Sequence, residues 1–298
     1  MRAISWRQME PLTLSIWCAA LAVVGSLVTQ WPLRLDDLPP AARPVLMVLA
    51  LAAFLALLLR PWQAGLARRL TAYGLAVPRA QPGGFLLLLL AVLVLNYASL
   101  SLLTWALEPD QVWVPVIEGV LDEPGGLAML LVLLLLAAPL IEELLVRGRL
   151  QTGVARRWGV PAALAISATV FAWLHGLPSL VPVYVVFGLL LGFAVWLTGS
   201  VWTGVAIHAI HNGAVLGLFL LARALGAEVA EPPDAVTETE SLLHAGLVAL
   251  VLGTALLALA LRVGHWERLR RVAGVRWRPL LFVGPPLAVV NLIPVVNG

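Results

Sequence analysis

The chain has 298 residues, of which 61% are hydrophobic and only 12% are charged. A soluble domain has about 25% charged residues, so the composition excludes an ordinary soluble protein and indicates an integral membrane protein. The single cysteine, Cys18, lies in an apolar run, which excludes an intrachain disulfide and a cysteine-based metal cluster.

Apolar segments long enough to cross a bilayer, about 20 residues each, recur along the whole chain. In order, they cover 12–30, 45–60, 84–106, 127–146, 161–177, 181–198, 202–222 and 242–262, with a proline-interrupted ninth candidate at 280–296. The first segment is too long for the apolar part of a signal peptide, so we expect it to be retained as an anchor. The pattern predicts an all-α fold, a single polytopic membrane domain over 1–298 with eight transmembrane helices and a candidate ninth.

The basic residues alternate between the two sides of this predicted bundle. Most of the 19 arginines fall on one side, whereas the loops 107–126 and 223–240 on the other side are acidic. Because basic residues accumulate in cytoplasmic loops, we predict a cytoplasmic N-terminus and outward-facing acidic loops. The net charge of +3 therefore reflects orientation in the lipid bilayer and does not indicate a nucleic-acid partner. The arginine bias fits a bacterial genome, so we expect the bacterial cytoplasmic (inner) membrane.

Two adjacent glutamates, Glu142 and Glu143, end the fourth apolar segment. A carboxylate at the centre of a membrane helix costs about 2.5–3.5 kcal/mol on insertion scales, so such a residue indicates a function. Arg147 follows Glu143 by four residues, and this order favours a helical ion pair. We interpret that pair as structural, which leaves Glu142 pointing about 100° away with no local cation.

A histidine in the fifth segment can reach the depth of Glu142. His175 follows Phe171 by four residues, so the two form one wall of a helix. Glu142 lies 17 residues before Gly159, and His175 lies 16 residues after it. An antiparallel hairpin with its turn at 157–160 would therefore bring Glu142 and His175 to nearly the same depth.

Two more polar residues, His208 and Asn212, are also four residues apart and share a helix face. His208 lies about 6 residues beyond a turn near 199–201, whereas a full-length fifth span would carry His175 towards the opposite side of the membrane. An unwound segment at 176–182 that lines a cavity removes this conflict, because irregular backbone at membrane depth must be buried in protein or face water.

Other features are interpreted as structural. His211 is expected to pack beside the site, and His244 and His265 are expected at a membrane interface. Gly188 and Gly192 have the spacing of a close helix contact.

The segments EELLVR (142–147), FAWLH (171–175) and HAIHN (208–212) resemble the three motifs EExxxR, FxxxH and HxxxN of the CAAX-processing and bacteriocin-processing (CPBP) intramembrane proteases. The resemblance covers about 125–222, which we take as the catalytic core. It implies an intramembrane endopeptidase of the glutamate type, whose substrate is a membrane-associated peptide or protein that can be lipidated.

The resemblance also implies roles for individual residues. Glu142, aided by His175, would activate a water molecule, and His208 and Asn212 would form the oxyanion hole. The supporting residues would be Glu143, Arg147 and Phe171.

Three alternatives stay open. A zinc-dependent protease would use Glu142, His175 and His208 as ligands; we favour the metal-free version, because Asn212 is a poor zinc ligand and fits an oxyanion role. A catalytically silent scaffold or immunity protein is disfavoured by the intact motifs. A proton-coupled transporter is disfavoured because the sequence shows no repeated halves.

Overall fold

The computed structural model of the protein describes residues 42–59, 81–107, 113–175, 180–226 and 236–264, with isolated positions at 13, 14, 16–18, 20, 21, 24, 39, 74, 77, 78 and 266. These residues form helices and turns, and they contain no strand, which confirms the all-α prediction. The predicted first span, 12–30, is described only at scattered positions, and the candidate ninth span, 280–296, lies outside the described residues.

Nine α-helices and two π-helical segments make up the described architecture. The α-helices are α1 (Ala42–Leu59), α2 (Pro82–Leu107), α3 (Trp113–Asp122), α4 (Gly126–Val132), α5 (Ala138–Glu142), α6 (Thr152–Leu174), α7 (Val181–Thr198), α8 (Val201–Ala224) and α9 (Val236–Val263). The first π-helical segment, Leu133–Ala137, joins α4 to α5, and the second, Glu143–Gln151, joins α5 to α6.

Five helical stretches within the described ranges are long and apolar enough to cross a membrane. They are Pro82–Ala106, Gly126–Leu174, Val181–Thr198, Val201–Ala224 and Ser241–Val263. The protein is therefore a helical membrane bundle, as predicted. The 49-residue stretch contains two of the predicted spans, because it folds back at a glycine. The total of eight spans stays a prediction.

The fold-back at Gly159 sets the depth of the motif residues. Gly159 has φ 82°, in the left-handed region that favours glycine, and it divides α6 into two arms. Gln151 and Ser167 each lie eight residues from Gly159, and Ser167 Oγ donates to Gln151 Oε1 at 3.3 Å. Arg147 and Phe171 each lie twelve residues from Gly159, and the Arg147 guanidinium lies 4.3 Å from the centre of the Phe171 ring. The arms are therefore equal and antiparallel, which sets the two glutamates level with the end of α6, as the hairpin prediction requires.

Ion pairs connect the segments that were assigned to the outer side. Arg223 Nη2 lies 2.9 Å from Asp122 Oδ1, and Arg43 Nη1 lies 4.0 Å from Glu123 Oε2. Both acidic loops therefore meet at the same end of the bundle, which agrees with the predicted alternation. The short helix α3 lies within the first of these loops, where no helix was expected. The absolute orientation stays a prediction.

The glycine spacing in α7 marks a close helix contact, as predicted. A Cβ at Gly188 would lie 2.9 Å from the Ala168 Cα, so α6 and α7 touch through backbone. The absent side chains also expose the α7 carbonyls to donors. Arg147 Nη2 donates to the Gly188 carbonyl at 3.1 Å, and Gln151 Nε2 donates to the Gly192 carbonyl at 2.9 Å.

Gly188→Ala should therefore destabilise the bundle by about 1–3 kcal/mol, because the added methyl meets backbone that cannot move aside. Gly217 on α8 is the matched control, since a Cβ there would meet nothing within 4 Å. Gly217→Ala should be neutral or stabilise by up to about 1 kcal/mol. Thermal unfolding in detergent measures both changes, and equal melting temperatures for the two variants would contradict the prediction.

Candidate active site

The Arg147 side chain is buried and is held by three groups. Its Nη1 lies 3.1 Å from Glu143 Oε1, and both side chains are 0% exposed. Its Nη2 donates to the Gly188 carbonyl, and its guanidinium carbon lies over the Phe171 ring. The ion pair expected from the four-residue spacing is present. It links the second π-helical segment to α6 and α7.

Glu143 also connects this arginine to α8. His208 Nδ1 donates to the same Oε1 atom at 3.3 Å. The second carboxylate oxygen fills the space above Gly204, where any Cβ would collide with it. Glycine at position 204 therefore lets α8 approach the carboxylate closely enough for His208 to reach it.

One cavity of about 430 Å³ is lined by all four residues that were predicted to be catalytic: Glu142, His175, His208 and Asn212. They arrive from three separate elements, namely the end of α5, the end of α6 and the first half of α8. A volume of this size lies in the range of ligand-binding clefts, about 300–1,000 Å³. The structure thus brings the predicted residues together, and their catalytic roles stay predictions.

The two adjacent glutamates have different surroundings. Glu143 is fully buried against Arg147, whereas Glu142 is half-buried and lines the cavity. Glu142 Oε2 is buried and has no hydrogen-bond partner within the described part of the chain. Glu143 Oε2 is also without a hydrogen-bond partner among the described residues, but it lies against Gly204, whereas Glu142 belongs to the cavity lining. Of the two glutamates, Glu142 is therefore the one that a ligand in the cavity can reach.

His175 caps the end of α6 and is fixed by its own helix. Its Nδ1 donates to the Phe171 carbonyl at 2.9 Å, and its ring stacks on Tyr184 with centroids 3.9 Å apart. A neutral ring that donates through Nδ1 leaves Nε2 as the basic nitrogen. Leu180, which begins the next described stretch, also lines the cavity. A break was expected at 176–182. α6 ends at Leu174 and α7 begins at Val181, so residues 181 and 182 are helical, and 176–179 lie outside the described residues.

Asn212 is anchored to the helix that carries the glutamates. Its Nδ2 donates to the Leu134 carbonyl at 2.9 Å, within the first π-helical segment. In that segment Ala138 N–H bonds to the Leu133 carbonyl, so the next donor in the pattern would be residue 139. Residue 139 is proline, which has no N–H. Asn212 supplies the missing donor with one amide hydrogen and keeps a second.

Several cavity residues were not predicted from the sequence. Tyr184 and Phe187 come from α7, and Phe187 contacts the ring of His211 at 4.5 Å. His211 was interpreted as packing beside the site, but it lines the cavity itself. Asn96, on the largely apolar helix α2, also reaches the cavity. A carboxamide within a predicted membrane span was the signal that could have identified it.

The donors named for the zinc alternative do not fit a metal ion as they are arranged. Glu142, His175 and His208 all line the cavity, yet no three His, Cys, Asp or Glu side chains within the described ranges form a group that could hold a metal. Both histidines bond to the protein through Nδ1, which leaves Nε2 free and does not by itself decide for or against a metal. We therefore derive no step through a metal, and the zinc alternative is left to experiment.

Arg147→Met should destabilise the protein by about 3–5 kcal/mol, because it leaves Glu143 as an uncompensated buried charge. Glu143→Gln should act in the same direction. The double variant removes both charges and should be more stable than either single variant, which unfolding in detergent can measure. A double variant whose loss of stability equals the sum of the two single losses would contradict this interpretation of the pair.

A comparison with known families agrees with this geometry. Residues 124–214 match the family model described as type II CAAX prenyl endopeptidase Rce1-like, and the match spans all three motifs. No curated protein and no solved structure matches the chain at a significant level. The family supports a membrane endopeptidase in general. The resemblance drawn from the three motifs is confirmed, since residues 124–214 match the model of the Rce1-like type II CAAX prenyl endopeptidases.

Proposed function

We propose that the protein is an intramembrane endopeptidase that hydrolyses a peptide bond in a membrane-associated protein or peptide. The observation that carries the proposal is the convergence of Glu142, His175, His208 and Asn212 on one cavity within the matched segment. The family description names CAAX prenyl substrates, so a lipidated C-terminal peptide is the first substrate class to test.

In the proposed reaction, Glu142 takes a proton from water while the water oxygen attacks the scissile carbonyl carbon. The carbonyl oxygen then carries the negative charge of the tetrahedral intermediate. When the C–N bond breaks, the proton passes from Glu142 to the leaving amine, and a carboxylic acid and a free amine result. The unpartnered Glu142 oxygen and the basic Nε2 of His175 support their role in moving this proton.

The oxyanion would be stabilised from α8. His208 donates Nδ1–H to Glu143, so it can donate from Nε2 when the ring carries both protons. Asn212 keeps a second amide hydrogen after bonding to Leu134. Donors fixed in place before the reaction, in surroundings of low dielectric, lower such a barrier by about 2.7–4 kcal/mol each. Glu143 and Leu134 thus support the proposed hole by holding its two donors.

Glu142→Gln should reduce cleavage by at least about a hundredfold, because an amide cannot act as a general base. The variant should fold normally, since Glu142 is not part of the buried ion pair. Cleavage of a fluorescent farnesylated CAAX peptide in detergent micelles measures the first effect, and thermal unfolding measures the second. Glu118→Gln makes the same chemical change outside the cavity lining and should keep full activity. Undiminished cleavage by Glu142→Gln would contradict the proposed role of Glu142 as the general base.

Treatment with a strong chelator should leave cleavage of the same peptide unchanged, because the proposed mechanism uses no metal. A zinc endopeptidase treated in parallel serves as the control for effective chelation, and elemental analysis of the purified protein gives an independent readout. Activity that is lost on chelation and restored by zinc would establish the metal-dependent alternative.

A further inference from the structure

The cavity has a polar contact outside the segment that matches the family. Asn96 lies on α2, well before residue 124, and it lines the cavity although only 3% of it is exposed. Burying a polar amide in an apolar membrane helix is costly unless its groups have partners. Both the donor end and the acceptor end of the Asn96 amide therefore need a partner.

One end of the Asn96 amide is already engaged. Its Nδ2 lies 3.4 Å from His211 Nδ1. An amide nitrogen can only donate, so the His211 nitrogen accepts and the hydrogen of its neutral ring sits on Nε2. This contact joins α2 to α8 and fixes the direction of the amide.

The other end of the amide is not engaged. Asn96 Oδ1 is buried and has no hydrogen-bond partner within the described part of the chain. A buried carbonyl-type oxygen without a partner is unfavourable in the resting protein. Because the same side chain lines the cavity, a donor carried by a ligand is the group that would satisfy it.

The helix that carries Asn96 is held firmly, so the amide is a fixed feature of the cavity wall. α2 packs against α9 through glycines, and a Cβ at Gly246 or Gly253 would lie under 3 Å from the side chains of Leu102 and Leu95 respectively. Leu95 is the neighbour of Asn96 in the chain. The close contact therefore limits the freedom of α2 at this depth.

From these contacts we infer that Asn96 is a substrate-binding residue whose Oδ1 accepts a backbone N–H of the substrate chain. The inference rests on the proposed peptidase function, because a peptide is the ligand class that presents N–H donors beside a carbonyl. The proposed hole supplies donors for the substrate carbonyl, whereas Asn96 supplies the acceptor that the same backbone also needs. His211 is a positioning residue that holds the Asn96 amide.

The test uses peptide binding to the full-length Glu142→Gln protein, so that it does not depend on cleavage. The probe is a fluorescent farnesylated CAAX peptide, together with versions in which single backbone N–H groups are methylated. In this background, Asn96→Leu should weaken binding of the parent peptide about tenfold, the loss expected for one hydrogen bond. One methylated peptide should bind the Asn96 protein more weakly than the parent does, and Asn96→Leu should lose that difference.

Conservative variants separate binding from folding. Asn96→Asp keeps an acceptor oxygen and should preserve the discrimination against the methylated peptide. His211→Leu should weaken peptide binding, and the effects of His211→Leu and Asn96→Leu in the double variant should be less than additive. His211→Gln should restore binding, because a glutamine oxygen can accept a hydrogen bond from Asn96 Nδ2. Ser101→Ala removes another buried polar group from α2, outside the cavity lining, and should change nothing.

Two outcomes overturn the inference. In the first, the Asn96→Leu variant binds every peptide as tightly as the protein with Asn96 does. In the second, the protein with Asn96 does not bind the parent peptide. If the wild-type protein binds the peptide with the expected discrimination but never cleaves it, the proposed peptidase function fails while the role of Asn96 stands.

Discussion

The architecture of the site depends on placing one arginine inside a membrane protein. Burying an unpaired ion in such surroundings costs several kcal/mol, so a buried arginine needs partners from the elements packed around it. Glu143 neutralises Arg147, the Phe171 ring packs against its guanidinium, and Arg147 donates a hydrogen bond to the Gly188 carbonyl. These partners belong to the second π-helical segment, α6 and α7. Satisfying the arginine therefore fixes the positions of all three elements.

The arginine also explains why two adjacent glutamates behave differently. Glu143 turns towards Arg147 and away from the cavity, so its neighbour Glu142 is directed to the cavity on the adjacent side of the helix. The buried pair is neutral as a whole. The Glu142 carboxylate is then the remaining acidic side chain among the residues that line the cavity, and His175 and His208 are the lining residues proposed to act with it.

The sequence was sufficient for the parts of the site that depend on spacing. A step of four residues predicts a shared helix face, and equal arms about Gly159 predict a common depth, so the motif residues could be assigned to one region. The hairpin contacts bear this out. Residues that belong to no motif could not be assigned in this way. Tyr184 lies in a helix that is apolar on every side, so no periodicity distinguishes the face that meets His175.

The π-helical segments were also beyond prediction, because they depend on backbone hydrogen bonds that the residue pattern does not encode. Their effect is nevertheless specific. Pro139 cannot donate to the Leu134 carbonyl, and that carbonyl instead accepts from Asn212 on α8. π-helical segments of this kind are frequent at functional sites. Here the segment provides a backbone acceptor at the depth where the third motif approaches the first.

Asparagine at position 212 fits two requirements, a donor for the Leu134 carbonyl and a second donor for the proposed oxyanion hole. A carbonyl left without a donor would cost about 1–3 kcal/mol, so the side chain at this position must donate to Leu134. The proposed oxyanion hole needs a second donor from the same place. A carboxylate offers no hydrogen and an apolar side chain offers none, whereas a primary amide carries two on one nitrogen. The bond that holds α8 against the glutamate helix is therefore made by the same group that is proposed to meet the developing charge. For this reason the positions of the proposed base, Glu142, and of the proposed oxyanion donor, Asn212, are linked through the helix that carries Leu134.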